Sequence, residues 1–158
     1  MSPADSEKPL ETILKAEADL ITADEELMRR ILFGRKFGFH PKENPPVLLG
    51  AFMPRRDETE GISMNRRACG VEPIALKNAA PLQVREKCGV VSLLVEAVET
   101  AGLHVASLPE PSGLPGHVVI PELNSTDSES VDEQKRNRVR AWAQSLASAA
   151  TTLIEARK

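Results

Sequence analysis

The chain is poor in aromatic residues. They make up 3% of its 158 positions, and tyrosine is absent. Proteins that hold single-stranded nucleic acid stack bases on exposed rings, and few rings are to spare here. The core must instead be built from Leu, Val, Ile and Ala. Long apolar runs are also lacking. None reaches the roughly 18 residues of a membrane span, so no membrane contact is expected. The opening MSPADSEKPLETI has no basic start followed by an apolar stretch, and no secretory leader is expected from it. A net charge of −3 gives no general attraction to polyanions. Nucleic acid is therefore not an expected partner.

Cysteine and histidine are scarce as well. Cys69 and Cys88 are the two thiols. A disulfide between them is geometrically open. A domain of this length already buries about two-thirds of its unfolded surface and needs no staple, so reduced thiols in a cytoplasmic protein are expected. The three histidines, His40, His104 and His117, form no His-x-x-x-His pair, and there is no Cys-x-x-Cys. No metal site and no cofactor are expected. Gly34 and Gly38 lack the strand-before, helix-after setting of a phosphate loop.

What is present reads as one α+β domain. Residues 9–21 place Leu10, Ile13, Leu14 and Ile21 at helical spacing. Thr22-Ala-Asp-Glu25 fits a capping box, which predicts a second helix over 23–33 with Arg29 and Arg30 near its C-terminal end. The four Phe residues, at 33, 37, 39 and 52, then form a plug that docks these helices on a sheet. Residues 47–53, VLLGAFM, read as a buried strand with a bulge at Gly50. Residues 62–66 alternate apolar and polar, as a half-buried strand does. A helical turn is expected over 73–78 and a helix over 81–88. The stretch 89–123 organises the rest, with strands over 90–95, 103–107 and 117–120. Gly102 ends a short helix over 96–101, and a rigid Pro- and Gly-rich loop spans 108–116. After a polar linker at 124–130, Ser130-Val-Asp-Glu133 opens a long amphipathic helix over 131–156.

The expected fold is α+β: a small, mostly antiparallel sheet of four or five strands, packed by N-terminal helices and a long C-terminal helix. Its segments are an extension over 1–21, a core over 22–123, and a linker and helix over 124–158.

Between Phe52 and Ile120 a series of marks recurs in fixed order: Phe52-Met-Pro54, Asp57 through Gly61-Ile62-Ser63 to Arg66, Gly89-Val-Val91, Gly102-Leu-His-Val105, and Pro115-Gly-His-Val-Val-Ile120. This order resembles a loose group of small bacterial proteins. The resemblance covers under half of the chain. It implies an α+β fold and a bacterial source, and brings no established activity.

Two groups of residues could carry chemistry. His117 follows a Pro-Gly turn and begins a strand, and imidazole titrates near neutrality. The plainer reading is a strand histidine bonded to a backbone carbonyl. Arg55, Arg56, Arg66 and Arg67 flank the strand at 62–66 and could hold an anion; the plainer reading is a solvated loop balanced by Asp57, Glu58 and Glu60. Lys135, Arg136, Arg138 and Arg140 read as the solvated face of the last helix. The leading expectation is a non-catalytic binding or interaction module of a cytosolic bacterial system, with a protein partner. The alanine-rich face of the last helix would also suit a homodimer. The competing expectation is an enzyme on a phosphorylated or nucleotide-like substrate, with His117 as acid/base and Arg55 or Arg66 as the anion clamp. An enzyme of that kind needs His117 and an arginine around one cavity.

Overall fold

A computed structural model of the chain describes residues 20–108 and 113–158. Its centre is a six-stranded sheet. The strands are β1 Glu26–Ile31, β2 Ile62–Arg66, β3 Gly89–Leu94, β4 Ala106–Ser107, β5 His117–Ile120 and β6 Thr151–Ile154. They lie in the order β4-β5-β2-β1-β3-β6, and every pairing is antiparallel. Four α-helices, α1 Pro73–Asn78, α2 Val95–Thr100, α3 Ser125–Ser128 and α4 Glu133–Ala149, and two 3-10 turns, Leu49–Phe52 and Arg67–Cys69, complete the described chain. The fold is α+β, as expected. Among the described residues no helix is long and apolar enough to cross a membrane.

The strand count exceeds the expected four or five because two segments read as helix are strands. The first is 23–33. Thr22 does not cap a helix there; its hydroxyl donates to Asp24 Oδ1 at 2.7 Å. Glu25 turns instead to a buried ion pair with Arg66. Residues 26–31 run between β2 and β3; charged Arg29 is buried on one face and apolar Met28 on the other, so a period-two apolar alternation is hidden. Their apolar residues then mimic a helical stripe. The second is the end of the long helix. Ala150 is extended at φ −81° and ψ 151°, and Thr151-Thr152 begin β6 beside β3. β-branched residues favour such a strand.

Three smaller corrections follow the same physics. Residues 47–53 are not a strand: Leu49–Phe52 form a 3-10 turn. Gly38, at φ 103°, brings its backbone so close to Ala51 that a Cβ would stand 2.0 Å from the Ala51 nitrogen. The chain at Gly50 is likewise pressed against Lys36, so this glycine permits close packing rather than a bulge. Residues 81–88 make successive turns and not a helix. The linker at 124–130 contains α3, which Asn124 caps by accepting from the Asp127 amide at 2.8 Å. The expected helix over 9–21 lies, apart from residues 20 and 21, outside the described residues; those two are not helical. Part of the 108–116 loop also lies outside them.

Register fixes the two faces of the sheet. Directly opposed residues of an antiparallel pair share a face. Leu27, Ile31, Ile62, Met64, Val91, Leu93, Val118 and Ile120 form one apolar side. Phe39, Phe52 and the buried stripe of α4 (Val139, Ala143, Leu146, Ala147) complete that core. The long helix thus packs on the core face of the sheet. Its buried residues are taken up by its own chain. The opposite face holds a smaller cluster of Met28 and Val90 under Val71 and Leu76 of the α1 region. That cluster leaves part of the face uncovered, and there the candidate site lies.

Candidate functional site

The second face is polar along one band. Met28 opposes Asn65, and Asn65 opposes His117, so these side chains project on the same side. Arg30 and Ser63 stand two residues from Met28 and Asn65 and join them. Around this band opens a cavity of about 420 Å³. Arg30, Arg55, Asp57, Glu58, Ser63, Asn65 and His117 contribute its polar lining, with Leu76 and Leu114 as apolar wall.

One buried ion pair shapes the wall. Arg29, 3% exposed, donates Nη1 and Nη2 to the two oxygens of Glu58 at 2.8 Å each. Its remaining donors reach the carbonyls of Ala51 at 2.7 Å, Ser63 at 3.0 Å and Met53 at 3.3 Å. Glu58 also accepts from the backbone amides of Arg55 at 2.8 Å and Ser63 at 2.6 Å. Every lone-pair direction of this carboxylate is in use. Burial pushes its pKa up, but the bonds from Arg29 and then the two amides outweigh that and bring it to about 2. The pair pins 51–63 to β1 and so fixes the Arg55 backbone at the rim.

Arg55 and Arg30 supply the positive charge. Arg55 donates Nη2 to the Arg30 carbonyl at 3.1 Å, and Arg30 donates Nη1 to the Leu76 carbonyl at 3.2 Å. Loss of hydration, followed by the nearby Arg29 and Arg30 charges, lowers the pKa of Arg55; Glu58 and Asp57 offset this in part. A guanidinium remains charged even so. Since Arg29 satisfies Glu58, the cavity presents Arg30 and Arg55 against Asp57. Crowded cations of this kind favour an anion between them.

His117 is held firmly. It is 6% exposed, and Nδ1 lies 2.5 Å from the Leu108 carbonyl. A carbonyl only accepts, so Nδ1 carries the proton and Nε2 is the basic nitrogen of the neutral ring. Gly116 precedes it at φ 76°, and a Cβ there would stand 2.8 Å from Cys69 Cβ. The turn that delivers His117 to β5 therefore requires glycine.

The four arginines proposed from sequence are placed apart. Arg55 lines the cavity with His117. Arg56 is exposed and outside the lining. Arg66 is buried on the other face, donating Nε to Glu25 Oε1 and Nη2 to Glu25 Oε2, the latter at 3.1 Å. Arg67 pairs with Glu26 and Glu72 at 3.1 Å each. Arg30 was missed because 23–33 read as a helix. Ser63 and Asn65 were legible as the polar side of an alternating strand, but only the register with β1 and β5 joins them to Arg30 and His117. Among the described residues no three His, Cys, Asp or Glu side chains gather closely enough to hold a metal ion.

No known protein family, no curated protein and no solved structure matches the chain.

Proposed function

We propose that the protein is a non-catalytic binding module of a cytosolic bacterial system, and that its ligand is a small anion held in the cavity on the second face of the sheet. The observation that carries this reading is the meeting of Arg30 and Arg55 with Asn65 and His117 around one hollow. Its volume is within the range of small-molecule sites. The wall is set in advance by the Arg29–Glu58 pair, so little ordering cost falls on binding. A phosphomonoester, with three acceptor oxygens, matches two neighbouring guanidinium groups.

Isothermal titration with ribose 5-phosphate tests this. Arg55→Met should weaken binding by about tenfold or more, the scale of one charge-assisted hydrogen bond. Affinity should also fall with added salt. Equal affinity in the variant, or no heat from phosphorylated, sulfated and carboxylated compounds alike, would remove the reading.

A second reading keeps the same ligand and makes the protein an enzyme. It rests on the fixed tautomer of His117, whose Nε2 is the basic atom. His117→Gln should then abolish turnover of a phosphorylated substrate while leaving its binding within about threefold. Binding without turnover in the unaltered protein supports the module.

A further inference from the structure

The hollow does not end at its two arginines. Arg30 and Arg55 also line a second cavity of about 180 Å³, whose other walls include Lys36, Phe37, Gly50 and Pro54. Arg30 and Arg55 therefore border two spaces of different character. The larger is lined by amide, hydroxyl and imidazole groups. The smaller is bordered by Lys36 and Phe37, with Arg29, Leu32 and Met53 among its other walls.

Phe37 is unlike the other aromatic side chains. Phe39 and Phe52 are buried, while Phe33 and Trp142 pack partly against the main core. Phe37 is 53% exposed. Gly34 and Gly38, both at positive φ, hold the tight turn that presents it, and the backbone of Gly38 donates to Gly34. An exposed ring on a turn beside cations is the arrangement that stacks a nucleobase. Lys36, its neighbour, adds attraction for the adjoining phosphate.

Resting on the anion reading above, we propose that the ligand is a dinucleotide. Its phosphodiester spans Arg30 and Arg55. One base stacks on Phe37 in the smaller cavity. The other nucleoside enters the larger one, where Ser63 and Asn65 hydrogen-bond its sugar or base edge. The central position of the arginine pair is what selects a phosphate with a group on each side over a terminal one. The net negative charge of the chain fits a short ligand held at one place rather than a long polyanion.

Titrations of the full chain with inorganic phosphate, adenosine monophosphate and adenylyl-adenosine, in unaltered protein, Phe37→Leu and Arg55→Met, test the assignment. Adenylyl-adenosine should bind at least about tenfold tighter than the monophosphate, since each stacked base contributes that order of affinity. Phe37→Leu should remove about tenfold of this and leave phosphate binding unchanged. Arg55→Met should weaken all three. Circular dichroism should show both variants folded, because neither side chain is in the core. If phosphate binds through Arg55 but the dinucleotide is no tighter than the monophosphate, or is indifferent to Phe37→Leu, the dinucleotide assignment is overturned and the anion reading stands. If none of the three compounds binds, both fall. Dinucleotide binding that needs Phe37 but is unchanged in Arg55→Met also overturns the arrangement.

Discussion

Arg29 and Arg30 are adjacent in β1, yet the strand turns them to opposite faces of the sheet. Arg29 enters the main core and spends every donor on Glu58 and three backbone carbonyls. Arg30 lines the cavity and makes one bond of its own, to the Leu76 carbonyl. The same side chain is thus a structural pin on one face and a site residue on the other. The difference lies in what the facing residues offer. Arg29 meets a buried carboxylate, Glu58, and is 3% exposed. The second face is only partly roofed by Val71 and Leu76. Stability should therefore be concentrated on the first face and binding on the second.

The largest test of that contrast is Arg29→Met. It leaves the Glu58 carboxylate buried without its partner, and breaking a buried pair costs about 3–5 kcal/mol. The urea midpoint should fall accordingly. The double variant Arg29→Met with Glu58→Leu should recover much of the loss, because no charge is stranded. A double variant as unstable as the single one would show that the bonds to Ala51, Ser63 and Met53 matter more than the charge.

Acid should act through the same pair. Glu58 titrates at about 2 in the folded protein and at 4.5 without its partners. Its folded pKa is depressed, so its stabilisation is complete above about 4.5 and is lost as pH falls towards 2. At 1.36 kcal/mol per unit, the change is of the order of 3 kcal/mol. Unfolding midpoints measured between pH 6 and 2 should show this slope, and Glu58→Gln should flatten it. An equal slope in the variant would assign acid sensitivity to other carboxylates.

How much of this contrast was legible in the sequence differs by element. The strand at 62–66 showed its alternation openly because Ser63 and Asn65 lie on the less covered face. The strands at 90–95 and 117–120 were legible from β-branched residues bounded by glycine and proline. β1 was not. A central strand with a buried arginine on one face and a cavity arginine on the other has neither alternation nor an apolar run. Glu25, Arg29, Glu58 and Arg66 form partnerships separated by up to 41 residues, and no local pattern announces them. The site was half visible for the same reason. His117 and Arg55 stood out by residue type, whereas Arg30 needed the register of β1. Arg66 and Arg67 stood out equally and are placed in ion pairs with Glu25, Glu26 and Glu72.

A smaller effect belongs to Trp142 on α4. Full burial of this ring would make Trp142→Ala cost 3–5 kcal/mol. It is half-buried and packs at the border of the main core, so a loss of about 2 kcal/mol is expected. A midpoint unchanged by this substitution would show that α4 holds the core through Val139, Ala143, Leu146 and Ala147 alone.

The smallest stability effect should come from Arg30→Met, and it is the sharpest test of the contrast. Arg30 is only partly buried and gives up one hydrogen bond, at 3.2 Å, to the Leu76 carbonyl. A net loss of about 1 kcal/mol or less is expected from that bond. Arg29→Met differs from it by one position in the chain and by the face it reaches. The two variants should therefore separate cleanly: Arg29→Met lowers the urea midpoint, while Arg30→Met leaves it nearly in place and weakens ribose 5-phosphate binding by about tenfold. Should Arg30→Met destabilise the protein as much as Arg29→Met, Arg30 is a structural residue and the cavity loses one of its two cations. Should it leave both the midpoint and the affinity unchanged, Arg55 alone would have to hold the anion, and the two-arginine clamp is wrong.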